Sequence, residues 1–298
     1  MNNIKRRIMV CVTSALMVLV LAVPSFATEG PNSGFYLQTY TGTSEAIEDV
    51  TVRIISNGAL NNFEVEYDNI DLPAKTDGTK QRVVDALCAI QGDGNTAPQF
   101  LTINGNPITN SSTYFRSIKM NNVTYAPPTE YSIQGWMFRI NDKFPLIESY
   151  GEPDTSSSSL STTGDAKGET INTAYIKSKD VITVYYDIPL SNSAANYTRI
   201  SNVTNTSSSI TATVQASESW FNGSLYSCWH ILDFDTFNAK VYLYDENGNE
   251  LDNENTSGGS VTFSRSVTTG TKYILRIKTS RIFGVNSTIS CRKDYTAS

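Results

Sequence analysis

The side chains that usually carry out catalysis are sparse in this chain. His230 is the one histidine in 298 residues, which excludes a histidine-dependent triad and a multi-histidine metal site within a single copy. The nearest groups of acids, Asp233 with Asp235 and those of segment 245–254, fall in predicted turns. Loop acids can bind Ca²⁺, but the spacing of an EF-hand is absent. We therefore expect a protein that is not an enzyme and that carries no metal and no catalytic cofactor.

Aromatic residues form the more suggestive group. Trp136, Phe138, Phe144, Tyr150 and Tyr175 lie near one edge of a predicted sheet. Because one side of an alternating strand must face the core, these residues have two interpretations. They belong either to core packing or to an exposed aromatic platform for a planar ligand or a sugar. We take these five as candidate ligand-binding residues.

The cysteines suggest one disulfide. Cys88 falls in a predicted helix, where it is expected to be a free, buried core residue. Cys228 and Cys291 lie in strand-like segments of the C-terminal half and form the natural pair in an exported protein. The alternative is that these two remain unpaired thiols.

Residues 1–27 have the pattern of a signal peptide. A positive segment, Lys5–Arg7, precedes an apolar run over 8–23, and Ser25–Ala27 offers the small residues of a cleavage site. The apolar run is too short for a confident membrane span. We expect a secreted or cell-surface protein, cleaved near Ala27, with no membrane span after cleavage. The net charge of −6 argues against nucleic acid and anionic membranes as partners.

The length suggests about two domains. An N-terminal extension (28–48) leads into a first block (49–189), a polar linker (190–196) and a second block (197–298).

In the first block, strand-like runs surround one helix. Val83, Val84, Leu87 and Ile90 recur at helical spacing, with Thr79 as the expected N-cap. Residues 151–173 have almost no apolar content, so they predict a flexible loop.

The second block has only short strand signals separated by turns, which predicts a sandwich. Segment 245–249, with its Asn-Gly pair, predicts a hairpin turn. The predicted fold class is mainly β with two domains. A β-grasp-like α+β domain with one helix is followed by an antiparallel β-sandwich.

The first block resembles the DUF4430 family, the domain found at the C-terminus of transcobalamins. The resemblance rests on the helix at 83–87, the segment 100–105, the Trp-containing segment 135–145, and Tyr175 followed by 179–182. It implies a β-grasp-like fold and a corrinoid as a possible ligand, although the helical partner domain of transcobalamins has no counterpart here.

The second block resembles the bacterial pre-peptidase C-terminal (PPC) sandwich through segments 241–249 and 270–277. That resemblance implies an accessory module of secreted proteins.

Two functions are compatible with these features. The favoured one is a secreted bacterial binding module whose partner is a small molecule, for which the resemblance implies a corrinoid-like compound, or an extracellular polymer such as a glycan. The alternative is a structural or adhesion protein of the cell envelope that contacts another cell-surface protein, with both domains as scaffold. Exposure of Trp136, Tyr150 and Tyr175 would separate the two.

Overall fold

A computed structural model describes residues 33–38, 41–56, 63–126, 135–146, 169–187, 196–222, 228–231, 233–278 and 288–298. The predicted signal peptide, Tyr150 and residues 190–195 of the predicted linker lie outside these residues, as do the side chains of Cys228 and His230. The described chain is mainly β with one helix and several sheets, some packed as a sandwich. The predicted fold class is confirmed in these terms.

A mixed four-stranded sheet forms the centre of the first block. In the middle, β2 (Ile47–Ser56) runs parallel to β9 (Val181–Asp187), while β3 (Phe63–Leu72) and β7 (Gly135–Ile140) flank them in antiparallel pairing. The residues of β2 from 52 to 56 are all buried, as expected of a strand with both faces covered. One face packs against the helix, and the other packs against the second block.

The helix α1 (Val83–Ile90) starts three residues later than an N-cap at Thr79 would place it. Its N-cap is Arg82, so the predicted cap at Thr79 is wrong. The Thr79 hydroxyl instead donates to the Asp77 carboxylate at 2.7 Å. The first-turn acid, Asp85, accepts a hydrogen bond from the Arg82 backbone N–H at 2.8 Å, which satisfies a donor at the helix start.

Two further helix donors are satisfied from far along the chain. The N–H groups of Val83 and Val84 donate to the carbonyls of Ala174 and Ile171. Ile171 is 3 % exposed and belongs to the core. The end of the predicted flexible loop, at residues 169–173, is therefore a packed part of the first block, because its single large apolar side chain enters the core.

Smaller sheets complete the first block. Three short strands form an antiparallel sheet, namely β4 (Gln99–Leu101), β5 (Ser117–Met120) and β6 (Val123–Tyr125). Before residue 49, β1 (Phe35–Leu37) pairs in parallel with β8 (Phe144–Leu146). Part of the N-terminal extension therefore packs with the first block.

The second block is a sandwich of two sheets around a core that includes Val214, Leu243, Phe263 and Leu275. One sheet contains β10 (Asn196–Thr206), β11 (Ser209–Asn222), β12 (Cys228–Ile231), β13 (Asp235–Thr236), β16 (Ser260–Ser264) and β18 (Thr288–Ile289). The other has the order β15 (Glu250–Asn255), β14 (Lys240–Asp245), β17 (Lys272–Ile277) and β19 (Cys291–Thr296).

Two details refine the prediction for this sandwich. The hairpin turn at 245–249 joins β14 to β15 as expected, and Gly248 has φ of +82°, a backbone conformation that glycine adopts without steric cost. One pairing departs from the antiparallel pattern, since β18 runs parallel to β10.

The two blocks meet through a fully buried cation. Arg139 of β7 is 0 % exposed. Its Nη1 donates to the carbonyls of Gly34 and Asp142, at 3.3 and 3.2 Å, and to the Ser217 hydroxyl of the second block at 3.2 Å. Its guanidinium carbon lies 4.3 Å from the ring centroid of Tyr197, the second residue of β10. This arginine therefore contacts both blocks at once.

An ion pair, a hydrogen bond and an apolar cluster also join the two blocks. Arg292 of β19 pairs with Glu66 of β3 at 3.0 Å, and the Ser290 hydroxyl donates to Glu64 at 2.9 Å. The shared apolar cluster consists of Ile55, Tyr185, Tyr197, Phe234 and Ile289. Residues Asn32–Ser298 form one compact unit, and the domain boundary near residue 190 stays a prediction.

The predicted disulfide between Cys228 and Cys291 is absent, because Cys291 is a free thiol, 6 % exposed. The reason is topological. Cys228 pairs with Asn222 at the end of β11, whereas Cys291 pairs with Ile277 in the opposite sheet of the sandwich. Cys88 is free, as predicted, but half-buried at the margin of the core rather than fully inside it.

Candidate functional site

A cleft of about 460 Å³ opens beside the edge strand β7 of the first block. Two loop segments and the start of β7 form its walls. One segment follows β4, the other precedes β5, and both carry hydroxyl and apolar side chains. The cleft is lined by Thr102, Ile103, Ser112, Thr113, Tyr114, Phe115, Arg116, Gly135 and Trp136.

Trp136 lines this cleft and is half-buried. Its ring lies against Tyr186 in an edge-to-face arrangement, with centroids 5.7 Å apart, and against Phe63 and Phe115 at 6.3 and 6.4 Å. Its indole N–H donates to the carbonyl of Tyr125 at 3.2 Å. Because one side of the indole is fixed by aromatic packing and a hydrogen bond, its orientation toward the cleft is preorganised.

The rim of the cleft exposes large apolar side chains. Tyr114 is 69 % exposed and Ile103 is 60 % exposed. Among the residues that the structure describes, three large hydrophobic side chains are exposed. Two of them are Tyr114 and Ile103, and the third is Val123 at 44 %. The two most exposed of these three side chains therefore lie at the same cleft.

Local turns hold these rim residues in place. Gly105, with φ of +76°, closes a turn in which the Thr102 N–H donates to the Asn106 carbonyl at 2.8 Å, so Ile103 projects from the tip. A second turn is closed by the Ser112 N–H, which donates to the Thr109 carbonyl at 2.8 Å. It ends two residues before Tyr114. Hydrogen-bonded turns fix backbone positions, which lowers the entropic cost of binding at the rim.

The five predicted ligand-binding residues separate in the structure. Only Trp136 lines the cleft. Phe138 is 9 % exposed within the main core, and Phe144 is 3 % exposed in a small cluster with Phe35 and Leu146. The remaining two do not join them. Tyr175 is half-buried beside Gly42 and Arg82, and Tyr150 lies outside the described residues.

The rim residues were not among the ligand-binding residues predicted from the sequence. Tyr114 and Phe115 lie in a stretch that reads as polar, after Ser111, Ser112 and Thr113. The aromatic pair within this polar segment could have indicated a binding site, because binding residues are often found in loops.

The lining of the cleft is mostly apolar and hydroxyl-bearing. The cleft offers aromatic rings, the sec-butyl side chain of Ile103, the aliphatic hydroxyls of Thr102, Ser112 and Thr113, the Tyr114 phenol and the Arg116 guanidinium. Elsewhere in the described part of the chain, no group of three or more His, Cys, Asp or Glu side chains is placed to hold a metal ion. Among the residues that the structure covers, no helix combines the length and the apolar character that crossing a membrane requires.

Comparison with known proteins adds no relative. No protein-family model matches the chain, and neither a curated protein nor a solved structure proved similar to it. The resemblances to DUF4430 and to the PPC sandwich therefore stay predictions.

Proposed function

We propose that this chain is a secreted, non-catalytic binding module whose Trp136 cleft takes a ligand with an apolar ring face. The observation that carries the proposal is the exposure of Tyr114 and Ile103 at a cleft that the fixed indole of Trp136 also lines. Leaving large apolar side chains in water forgoes about 1.5–3 kcal/mol of burial for each. A ligand that covers them recovers part of that free energy. Secretion is proposed on the pattern of residues 1–27.

Two ligand classes fit this description. A sugar ring would pack an apolar face on Tyr114 or Trp136 and form hydrogen bonds with the hydroxyls of Thr102, Ser112 or Thr113. A planar macrocycle such as a corrinoid would use the same aromatic surface, and the resemblance to the transcobalamin domain makes it a reasonable test ligand. We propose the cleft, rather than the five residues suggested by the sequence, as the binding site for either class.

Tryptophan fluorescence tests the proposal directly. The chain has three tryptophans, so replacing Trp220 and Trp229 with phenylalanine leaves Trp136 as the only reporter in the full-length protein. Titration with corrinoids, haem and soluble glycans is expected to shift or quench its emission for one of these classes. A reporter that responds to none of them would favour a scaffold.

A rim substitution then locates the site. Tyr114→Ala is expected to weaken binding of the responding ligand about tenfold, since losing about 1.4 kcal/mol of aromatic contact changes the dissociation constant by that factor. Val123→Ala is the matched control, because Val123 is also exposed but does not line the cleft. Calorimetry of both variants would measure the effect. Equal losses in the two variants would contradict the proposed site.

The alternative function is a scaffold of the cell envelope, and the junction of the two blocks favours it. Arg139, the Arg292–Glu66 pair and a shared apolar cluster tie the blocks together. A rigid spacer requires such a junction, whereas a binding module does not. Trp136→Phe separates the alternatives. A lower midpoint of thermal unfolding with no ligand found would indicate the scaffold.

A further inference from the structure

The outer face of the β15–β14–β17–β19 sheet carries a cluster of cations and tyrosines. Strand alternation places Val241 and Leu243 of β14 inside the sandwich, each 0 % exposed. Intervening residues therefore point outward. We call the resulting surface the basic face, and it consists of Lys240, Tyr242, Tyr244, Arg276 and Lys278.

The cations of the basic face are arranged around the tyrosine rings. The Lys278 ammonium lies 3.7 Å from the ring centroid of Tyr242 and 5.8 Å from that of Tyr244. The Lys240 ammonium lies 5.5 Å from the Tyr242 centroid. Contacts of this kind hold long, flexible side chains near one position. The side chain of Lys278 is nevertheless 52 % exposed, so its charge remains accessible.

Arg276 supplies a guanidinium that has no partner among the described residues. It lies directly opposite Tyr242 in the strand register and is half-buried. Within the part of the chain that the structure describes, its side chain forms no hydrogen bond, ion pair or ring contact. Arg276 and Lys278 also line a cleft of about 280 Å³ with Tyr244 and Phe63. An unpaired guanidinium in an aromatic-lined cleft has the geometry to bind a carboxylate with two hydrogen bonds.

We propose that the basic face binds an acidic polysaccharide, that is, a polymer of sugar rings bearing carboxylates. Charge complementarity supports this occupant. Lys240, Arg276 and Lys278 lie on one face of a chain whose net charge is −6, with Glu250 paired to Lys278 at 3.6 Å. Arg292 lies opposite Arg276 on the same face, and its charge is matched by Asp294 and Glu66. The outward tyrosines are two residues apart, which spaces them by about 7 Å along the strand. Sugar rings would contact the tyrosines while their carboxylates pair with Arg276 and the lysines.

A nucleic acid is the competing polyanion, and the surroundings disfavour it. Glu64 lines the same small cleft as Arg276, and Glu250 lies on the neighbouring strand. The phosphates of duplex DNA, one per about 1.7 Å of helix axis, would crowd these carboxylates, whereas a uronic acid polymer carries one charge per sugar ring. The proposal for the basic face does not rest on the Trp136 cleft, although Phe63 packs against Trp136 and also lines the small cleft beside Arg276.

Binding of polygalacturonate, measured by calorimetry at low ionic strength with the full chain, tests the proposal. We expect binding that weakens as salt is added, no binding of the neutral polymer dextran, and weaker binding of an oligo-dT strand. Arg276→Gln and Lys278→Gln should each weaken the binding of polygalacturonate about tenfold, because each removes a charge-assisted contact.

The control is Lys293→Gln, which removes one exposed charge from β19 on a residue that faces Leu275 rather than the basic face. It should leave affinity within about twofold of the parent. Unchanged midpoints of thermal unfolding would show that the variants are folded. Equal affinities of all variants, equal binding of dextran, tighter binding of oligo-dT, or no binding of polygalacturonate would overturn the proposal.

Discussion

Replacing Arg139 with methionine is expected to lower the free energy of unfolding by about 3–4 kcal/mol. The substitution leaves the carbonyls of Gly34 and Asp142 and the hydroxyls of Tyr185 and Ser217 without this donor in a buried site. Each buried polar group that loses its partner costs about 1–3 kcal/mol. Methionine recovers part of this through its apolar volume, which is why the expected loss is smaller than the sum over all four partners.

Urea unfolding followed by circular dichroism would measure the effect. Arg276→Met is the matched control, because it removes an arginine from a strand at a position where the described residues provide no partner, and its expected effect is within about 0.5 kcal/mol. Arg139→Lys should fall between the two, since lysine keeps the charge but not the planar fork of donors. Equal stabilities of Arg139→Met and Arg276→Met would contradict a bonding role for Arg139.

The thiol of Cys291 should react with a thiol reagent on the order of a thousandfold more slowly in the folded protein than in the unfolded one at pH 8. Burial raises the pKa of this thiol to about 12, and only the thiolate reacts. Burial likewise raises the pKa of Cys88, to about 11, so Cys88 should react faster than Cys291. Mass spectrometry after timed labelling distinguishes the two sites.

The same experiment tests the absence of the disulfide. In unfolded protein that has not been reduced, Cys291 should be labelled fully. A Cys291 that reacts only after reduction would show that it is disulfide-bonded, contrary to the structure.

The raised pKa of Cys291 also makes stability depend on alkaline pH. The folded state holds the thiol proton to about pH 12, while the unfolded state releases it near pH 8.5. The unfolded state therefore binds fewer protons above pH 9, and the free energy of unfolding should fall as pH rises, with a slope of about 1.4 kcal/mol per unit for this thiol. Cys291→Ala should unfold with a correspondingly shallower pH dependence between pH 9 and 10.

Local patterns predicted the elements of this fold well. The helical spacing of Val83, Val84 and Leu87 located α1, and the Asn-Gly pair at 247–248 located the β14–β15 hairpin. The start of α1 was predicted three residues too early. Its cap depends on Asp85, which also pairs with Lys75 at 2.6 Å. Which groups the Asp85 carboxylate contacts depends on tertiary structure, and local helix propensity gives no information about it.

The candidate site was only partly predictable, since alternation alone does not tell which side of a strand is covered. Phe138 and Phe144 are aromatic and close to Trp136 in sequence, yet both lie in cores. The rim residue Tyr114 comes from a loop folded back by turns. The burial of Arg139 could not be predicted from the sequence of β7, because the groups that bind its guanidinium come from residue 34 and from the second block.

The parallel pair at the centre of the first block has a consequence for how the chain folds. Thr51 of β2 lies opposite Val181 of β9, and the start of α1 depends on carbonyls at 171 and 174. Neither contact can form until most of the first block has emerged from the ribosome. Long-range pairings of this kind fold slowly, since loop closure must precede their stabilisation. We therefore expect the nascent chain to stay unfolded for an extended time, a property that suits transport of an unfolded polypeptide across a membrane.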